Sequence, residues 1–323
     1  MTAFSDPKTL LFGATGTAGQ GVARALAEAG YDVAAPVRGG ASSSGLPTPV
    51  TTTEADISDV ATLDTVFADT RPRAVISCIA SRSGRAADAW AVDHDLNLML
   101  LRAAQAAGAR HFILLSAICV QRPELPFQRA KLAFEAQLIA SGLTYSIVRP
   151  TAFFKSLAGQ IRRVQAGKPY LMFGDGRMTA CKPISDRDLG RFIARCLTDA
   201  DKQNAVLPIG GPGPALTPRD MGEMIFRLTD RDPRFRRVPP RMMDAIVGAL
   251  GLAGRLSPRA AAKAELARIG RYYATEAMLL WNAETGRYDA DATPEFGTDR
   301  IEDYVRDVVS GRVTVDLGEH AVF

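Results

Sequence analysis

The sequence predicts an α/β protein with a doubly wound parallel sheet, followed by a smaller, mostly helical C-terminal part. Two observations support this fold class. Short apolar runs alternate with helical periodicity through the first 150 residues, and a glycine-rich turn follows the first run. The length of 323 residues, of which 47% are apolar, is sufficient for a buried core and a cleft. The composition therefore excludes a disordered or collagen-like chain.

Each predicted element rests on a local pattern. Short apolar runs predict strands at residues 8–13, 32–37, 74–80, 111–116, 144–148, 169–173 and 205–209. Amphipathic periodicity predicts helices at residues 19–28, 88–107, 128–141, 154–166 and 186–197. Loops rich in Gly, Ser and Pro are expected at 39–49 and 210–214, and Thr217-Pro218 and Ser257-Pro258 are typical of helix starts. We expect a dinucleotide-binding domain at 1–155, completed by about 177–210, and a substrate-binding or lid region at 156–176 and 211–323.

Metal and disulfide sites are not predicted. The chain contains three histidines and four cysteines, which are His94, His111, His320, Cys78, Cys119, Cys181 and Cys196. They lack the paired spacings of zinc sites, and so few cysteines do not form a disulfide framework. The net charge of +4 favours an anionic partner without indicating nucleic acid. No secretory segment is recognisable, and the longest apolar stretch, 245–254, is too short to span a bilayer. We expect a cytoplasmic protein, with peripheral membrane contact left open.

The turn after the first strand has the features of a phosphate-binding loop. Gly13 permits the tight turn, Gly16 lets the backbone approach a pyrophosphate, and Gly19 allows close packing of helix on strand. This arrangement predicts a Rossmann-type fold, and its GxxGxxG spacing resembles the extended and atypical short-chain dehydrogenases/reductases. Arg38 follows the second strand where an acidic residue would select NAD, so it favours the 2′-phosphate of NADPH. The alternative is that Arg38 is a solvated loop residue.

The proton-donating tyrosine of short-chain dehydrogenases is missing. In that superfamily a Tyr-x-x-x-Lys pair works at the nicotinamide, and the phenol donates a proton. The matching segment here runs from Phe127 to Lys131, and Ser116 ends the preceding strand where the superfamily's serine lies. Loss of the phenol disfavours carbonyl reduction. Reduction of a conjugated alkene, or a site that binds NADPH without catalysis, fits better.

Several long segments spread over nearly the whole chain resemble the divinyl chlorophyllide a 8-vinyl-reductases. They are SCIASRSG at 77–84, LLSAICVQ at 114–121, FQRAKL at 127–132, YSIVRPTAFFKSL at 145–157, MFGDG at 172–176, ACKPIS at 180–185, LPIGGPG at 207–213 and IGRYYA at 269–274, with Asp93 in between. The resemblance implies NADPH-dependent reduction of the 8-vinyl group of divinyl chlorophyllide or protochlorophyllide to ethyl, in chlorophyll or bacteriochlorophyll biosynthesis. It implies a tetrapyrrole substrate and no nucleic-acid partner.

The same resemblance implies roles for individual residues at the carboxyl edge of the sheet. The pyrophosphate would lie on Gly13, Thr15, Gly16, Thr17 and Gly19, and the adenine on Asp56 and Ile57. The contact of Arg38 with the 2′-phosphate rests on its charge and position more than on this resemblance. Further cofactor contacts would be Cys78, Ile79, Ala80, Ser116, Lys131, Pro150, Thr151 and Phe153. Lys131 would be the catalytic residue, and the substrate would contact Cys119, Phe127 and Phe154.

Other interpretations stay open at this stage. Asp56 also fits a helix N-cap, Cys119 an ordinary buried thiol, and Phe153 and Phe154 the hydrophobic core. Tyr272 and Tyr273 fit either a pocket lining or helix packing. The arginines within 231–241 fit a substrate propionate, an anionic membrane surface or a solvated face. A non-catalytic NADPH-binding sensor or assembly protein, or an alkene reductase of the isoflavone-reductase type, is the alternative function.

Overall fold

A computed structural model describes residues 8–81 and 85–315 of the chain. The N-terminal residues 1–7, residues 82–84 of the SCIASRSG run, and His320 lie outside the described residues.

The strands assemble mainly into one parallel sheet. They are β1 (Thr9–Phe12), β2 (Val33–Val37), β3 (Val50–Glu54), β4 (Ala74–Ser77), β5 (His111–Leu115), β6 (Thr144–Pro150), β7 (Tyr170–Phe173), β8 (Ala205–Ile209), β9 (Phe235–Val238), β10 (Leu280–Asn282) and β11 (Arg287–Asp289). Within the described residues, seven strands form a parallel sheet in the order β3-β2-β1-β4-β5-β6-β8. The strand order reverses between β1 and β4, which opens a crevice for ligands at the carboxyl ends. The predicted fold class is confirmed.

The helices cover this sheet and build the C-terminal part. They are α1 (Thr17–Glu28), α2 (Val60–Thr70), α3 (Ala86–Ala89), α4 (Asn97–Ala106), α5 (Pro126–Ile139), α6 (Phe154–Leu157), α7 (Ile161–Gln165), α8 (Asp186–Cys196), α9 (Pro218–Leu228), α10 (Pro240–Gly254), α11 (Pro258–Thr275) and α12 (Ile301–Val309). The side chains of Thr217 and Ser257 accept hydrogen bonds from the amides of Asp220 and Ala260, which confirms both predicted helix starts.

Two predicted helices are interrupted in the structure. The helix expected at 88–107 consists of α3, a π-helical segment at Trp90–Leu96 and α4. The helix expected at 154–166 consists of α6, a 3₁₀ turn at Ala158–Gln160 and α7. Apolar periodicity does not reveal such interruptions, because a π-helical turn shifts the phase of the helix without removing its apolar face.

Alternating strand residues form two cores, one on each face of the sheet. Leu11 and Ile76 face α1 and α8, whereas Leu10 and Val75 face α2, α4 and α5. Helices α1 and α8 approach closely at Gly21, where an added Cβ would lie 2.1 Å from the carbonyl oxygen of Asp186. The sheet and both helical layers therefore hold the carboxyl edge rigidly.

The C-terminal part contains the strand predicted at 169–173, which is β7, and three strands that the sequence did not predict, β9, β10 and β11. Strands β7 and β9 form a parallel pair, and a separate apolar cluster lies among α7, α9 and α12. The chain then returns to the sheet domain, because Glu295 pairs with Gly210 and Phe296 packs against the core beneath α8. The domain boundaries proposed from the sequence stay a prediction. Across residues 8–81 and 85–315, none of the helices combines the length and apolar character needed to cross a membrane.

Candidate active site

The glycine turn between β1 and α1 leaves the start of α1 open to an anion. Gly13 has φ +77°, and a Cβ there would lie 2.8 Å from the carbonyl of Cys78. A Cβ on Gly19 would lie 2.1 Å from the oxygen of Gly13. Gly16 is the N-cap of α1 and places no side chain over the helix end. A Cβ on Gly16 would meet only the oxygen of Gly13, at 3.4 Å, so its outer side is open space of the kind a pyrophosphate fills.

A lysine that the sequence did not single out faces this turn. The ammonium of Lys155, on α6, lies 3.3 Å from the hydroxyl of Thr17, the first residue of α1. Lys155 is half-buried and makes no ion pair with a carboxylate in the part of the chain that the structure describes. An ammonium beside the positive end of a helix dipole is unfavourable unless an anion lies between them. An anion would be stabilised between these two positive groups.

Arg38 and Asp56 lie near each other at the outer end of this edge. Both are exposed, Arg38 directly after β2 and Asp56 after β3. Hydrogen bonds from the hydroxyl and amide of Ser58, with a smaller effect of the Arg38 charge, hold the pKa of Asp56 below its usual range. The N-cap of α2 is Asp59, so the N-cap alternative for Asp56 is wrong. Ile57 is half-buried against the core.

The ammonium of Lys131 forms a buried ion pair with Asp93. Lys131 Nζ lies 3.0 Å from Asp93 Oδ1, and their side chains are 9% and 0% exposed. Asp93 Oδ2 also accepts a hydrogen bond of 2.5 Å from the hydroxyl of Ser81, just beyond β4. The sequence segment containing Asp93 was recognised, but its link to Lys131 was missed, because the two residues are 38 positions apart.

The π-helical segment explains why a carboxylate is buried at position 93. The side chain of Asn97 donates to the carbonyl oxygens of Val92 (3.0 Å) and Asp93 (3.4 Å) and accepts from the hydroxyl of Ser77 (2.6 Å). These bonds tie the widened turn to the end of β4 and fix Asp93 toward α5. Local π-helical turns often occur at functional sites. A polar pair at i and i+4 on the buried face, Asp93 and Asn97, was the available sequence signal.

Two thiols share the neighbourhood of Lys131. Burial raises the pKa of Cys78 to about 12, and the Lys131 charge opposes part of this effect. Burial likewise raises the pKa of Cys119, again against a smaller effect of Lys131. Both thiols are therefore protonated near neutral pH. Cys78 directly follows β4, Cys119 lies in a 3₁₀ turn after β5, and Lys131 is on α5, so the carboxyl edge brings together positions that the sequence assigned to one site.

The hydroxyl of Ser116 contacts Glu135, and not Asp93, the ion-pair partner of Lys131. It donates to Glu135, which lies one helical turn beyond Lys131 and forms a buried ion pair with Arg149. This contact fixes the end of β5 against α5 and β6. The expected role of Ser116 at the nicotinamide ribose stays a prediction.

The residues at the end of β6 and just after it differ in their burial and in their contacts. Pro150 pairs with Ile209 inside the sheet, and Thr151 donates its hydroxyl to the carbonyl of Lys182 and its amide to that of Ile209. Phe153 is half-buried against the core. Phe154 is 5% exposed and packs against Tyr304 in the C-terminal cluster. The position of Phe154 favours the core alternative over the expected substrate contact. Ile79 is half-buried and Ala80 is exposed beyond β4.

Helix α11 covers the segment that carries Cys119. The hydroxyl of Tyr272 donates to the carbonyl oxygens of Cys119 (2.9 Å) and Arg122 (3.1 Å), and its ring is buried. Phe127 packs against the same apolar cluster. Tyr273 is 36% exposed, and its hydroxyl lies 3.9 Å from the sulfur of Cys119. The structure thus separates two tyrosines that the sequence could not tell apart.

The arginine-rich stretch borders a groove on the C-terminal part. Arg236 and Arg237 of β9, together with Arg163, line a surface groove of about 450 Å³ beside Met242. Arg231 donates to the carbonyl oxygen of Gln165. The groove is positively charged and fits a carboxylate or a phosphate.

Comparisons with known proteins agree with this geometry. A family model described as NAD(P)H-binding matches residues 13–200. Divinyl chlorophyllide a 8-vinyl-reductase from Zea mays is 46% identical over 99% of this chain and 84% of its own length. The protein of that name from Arabidopsis thaliana is 51% identical over 76% of this chain and 60% of its own length. The structure of Bordetella bronchiseptica WbmG in complex with NAD superposes with a TM-score of 0.69 at 14% identity, covering 100% of this chain and 98% of that one, which shows a shared fold.

Proposed function

The chain belongs to the divinyl chlorophyllide a 8-vinyl-reductase family, and we propose that it reduces the 8-vinyl group of divinyl chlorophyllide, or of the protochlorophyllide, to ethyl with NADPH. The observation that carries this proposal is 46% identity to the Zea mays reductase over 99% of the chain. Likeness of this extent includes the C-terminal part, which a general dinucleotide-binding sensor or assembly protein would not be expected to share. The site adds an anion-binding turn and a buried lysine at the carboxyl edge.

The described residues fit a dinucleotide whose diphosphate lies at the start of α1. NADPH, when bound, supplies the hydride that the reduction requires. The open side of Gly16 and the ammonium of Lys155 would hold the diphosphate. Arg38 pairs with the 2′-phosphate, and this contact favours NADPH over NADH. Asp56, beside Arg38, lies where the adenine is expected.

Lys131 acts at the nicotinamide end of this site. Its ammonium binds the ribose hydroxyls, and Asp93 fixes its position from beneath. The thiols of Cys78 and Cys119 lie within electrostatic range of Lys131 and are protonated, so neither competes as an anion for Lys131. The site contains no hydroxyl at position 127, in keeping with a substrate whose developing negative charge spreads into a conjugated ring system.

The tetrapyrrole and a membrane surface are the partners we propose for the C-terminal part. Helix α10 has exposed apolar side chains at Met242, Ile246 and Leu252, and Arg236 and Arg237 lie on the preceding strand. Apolar side chains beside arginines favour peripheral contact with an anionic lipid surface, from which an apolar macrocycle is taken up.

Turnover of the pigment tests the proposal directly. The purified protein is incubated with NADPH and divinyl chlorophyllide a, and the pigments are separated chromatographically. We expect loss of NADPH together with a monovinyl product whose absorption is shifted to the blue. A folded protein that binds NADPH and leaves the divinyl pigment unchanged would refute the proposal, in favour of a sensor or of a reductase for another alkene.

A further inference from the structure

Reduction of the vinyl group requires a proton donor that Lys131 does not readily supply, because its ammonium is held in an ion pair. Addition of a hydride to one vinyl carbon leaves negative charge on the other carbon and on the macrocycle, and one proton completes the ethyl group. Position 127 carries a phenylalanine, and the ammonium of Lys131 is held 3.0 Å from Asp93. A donor on another element beside this site would leave the ion pair between Lys131 and Asp93 intact.

Helix α11 places the phenol of Tyr273 beside the thiol of Cys119. The hydroxyl of Tyr273 lies 3.9 Å from the sulfur of Cys119, and Cys119 is within electrostatic range of Lys131. Phe127 and Tyr272 pack in the same apolar cluster as Cys119, and the ring of Tyr273 contacts that of Tyr272, which links Tyr273 to the neighbourhood of the missing phenol through Cys119 and Tyr272. The hydroxyl of Tyr272 is bound to two backbone carbonyls, whereas the hydroxyl of Tyr273 has, among the residues that the structure describes, only the weak contact with the thiol.

We propose that the Tyr273 hydroxyl donates the proton that completes the ethyl group, a role that rests on the proposed vinyl reduction. The O–H bond of Tyr273 breaks as a C–H bond forms at the vinyl carbon that did not receive the hydride. The vinyl group gains one hydride and one proton, and the hydride's electron pair reduces the double bond. A proton from solvent then converts the phenolate back to the phenol and completes the cycle.

The electrostatic surroundings agree with this role. Burial of the hydroxyl, with the adjacent thiol of Cys119, raises the pKa of Tyr273 well above 10. The phenol therefore keeps its proton throughout the neutral range and is available before each turnover. A carbanion adjacent to the macrocycle is a strong enough base to remove it, whereas a neutral ground-state substrate is not.

The test compares Tyr273→Phe with Tyr272→Phe in the full-length protein. Single-turnover reduction of divinyl chlorophyllide a is followed with saturating NADPH, in H₂O and in D₂O, and the NADPH dissociation constant is measured by fluorescence. We expect Tyr273→Phe to slow reduction by about 10²- to 10⁴-fold, with a larger solvent isotope effect and NADPH affinity within about threefold. We expect Tyr272→Phe to lower the melting temperature and leave the solvent isotope effect unchanged.

The outcomes are separable from those of the proposed function. A wild-type protein without vinyl reduction overturns the function and the proton donor together. A wild-type protein that reduces the pigment, with a Tyr273→Phe rate within about threefold of it, overturns the proton donor alone. Because Tyr273 is partly exposed and Phe retains its ring, the variant is expected to fold, and its melting temperature verifies this.

Discussion

Replacing Lys131 alone would destabilise the fold as well as remove a functional group. Lys131→Ala leaves the carboxylate of Asp93 buried, and within residues 8–81 and 85–315 the amide and hydroxyl of Ser81 are the groups left to compensate its charge. Removing one partner of a buried ion pair costs about 3–5 kcal/mol, a large share of the roughly 5–15 kcal/mol that stabilises a typical domain. Asp93→Asn leaves the ammonium unpaired and is expected to cost a similar amount. The double variant Lys131→Met/Asp93→Asn removes both charges and is expected to recover most of the loss.

Urea unfolding of the four proteins measures this coupling. If the free energy of unfolding falls by about 3 kcal/mol per molar urea, each single variant lowers the unfolding midpoint by roughly 1 M or more, and the double variant lowers it by less. Vinyl reduction is measured in parallel without urea, at a temperature at which all four proteins are folded. We expect the double variant to be stable and inactive, which separates the functional role of Lys131 from its structural one.

Two results would refute the reasoning. If the single and double variants lose equal free energy of unfolding, the ion pair between α5 and the π-helical segment does not couple the two residues. If the stable double variant reduces divinyl chlorophyllide at a near-normal rate, Lys131 does not belong to the site.

Three further predictions address the cofactor and the pH dependence. Arg38→Asp is expected to weaken NADPH by about tenfold more than NADH, and equal changes in the two dissociation constants would contradict a 2′-phosphate contact. Lys155→Met is expected to weaken NADPH binding about tenfold without lowering the stability of the apo-protein, because the substitution relieves repulsion between the ammonium and the start of α1. Lys155→Arg, which keeps the positive charge, is the control. A loss of apo-protein stability without a loss of NADPH affinity would argue against the diphosphate contact. Burial lowers the pKa of His111 from 6.5 to about 4, so the unfolded chain takes up the proton first, and stability present above pH 6.5 falls by up to about 3 kcal/mol toward pH 4. In urea titrations, His111→Gln is expected to flatten this slope, and an unchanged slope would count against the burial effect.

The cofactor turn was predictable from the sequence because its requirements are local. Gly13, Gly16 and Gly19 follow a short apolar run and precede a helical pattern, and the structure shows the positive φ and the close approaches that exclude a side chain at Gly13 and Gly19. Lys155 was not predictable in the same way, since its distance to Thr17 depends on how the segment after β6 folds back across the edge of the sheet.

The direction in which each helical side chain points separates what local patterns predict from what depends on the folded structure. The sequence by itself determined the doubly wound sheet, the phosphate-binding turn and the loss of the phenol at Phe127, because periodicity and spacing act over a few neighbouring residues. Only the tertiary structure paired Lys131 with Asp93, buried Phe154 in the C-terminal cluster and turned Tyr273 rather than Tyr272 toward the Cys119 thiol. Adjacent helical residues differ by about 100° in direction, and which direction meets the site depends on contacts between distant segments.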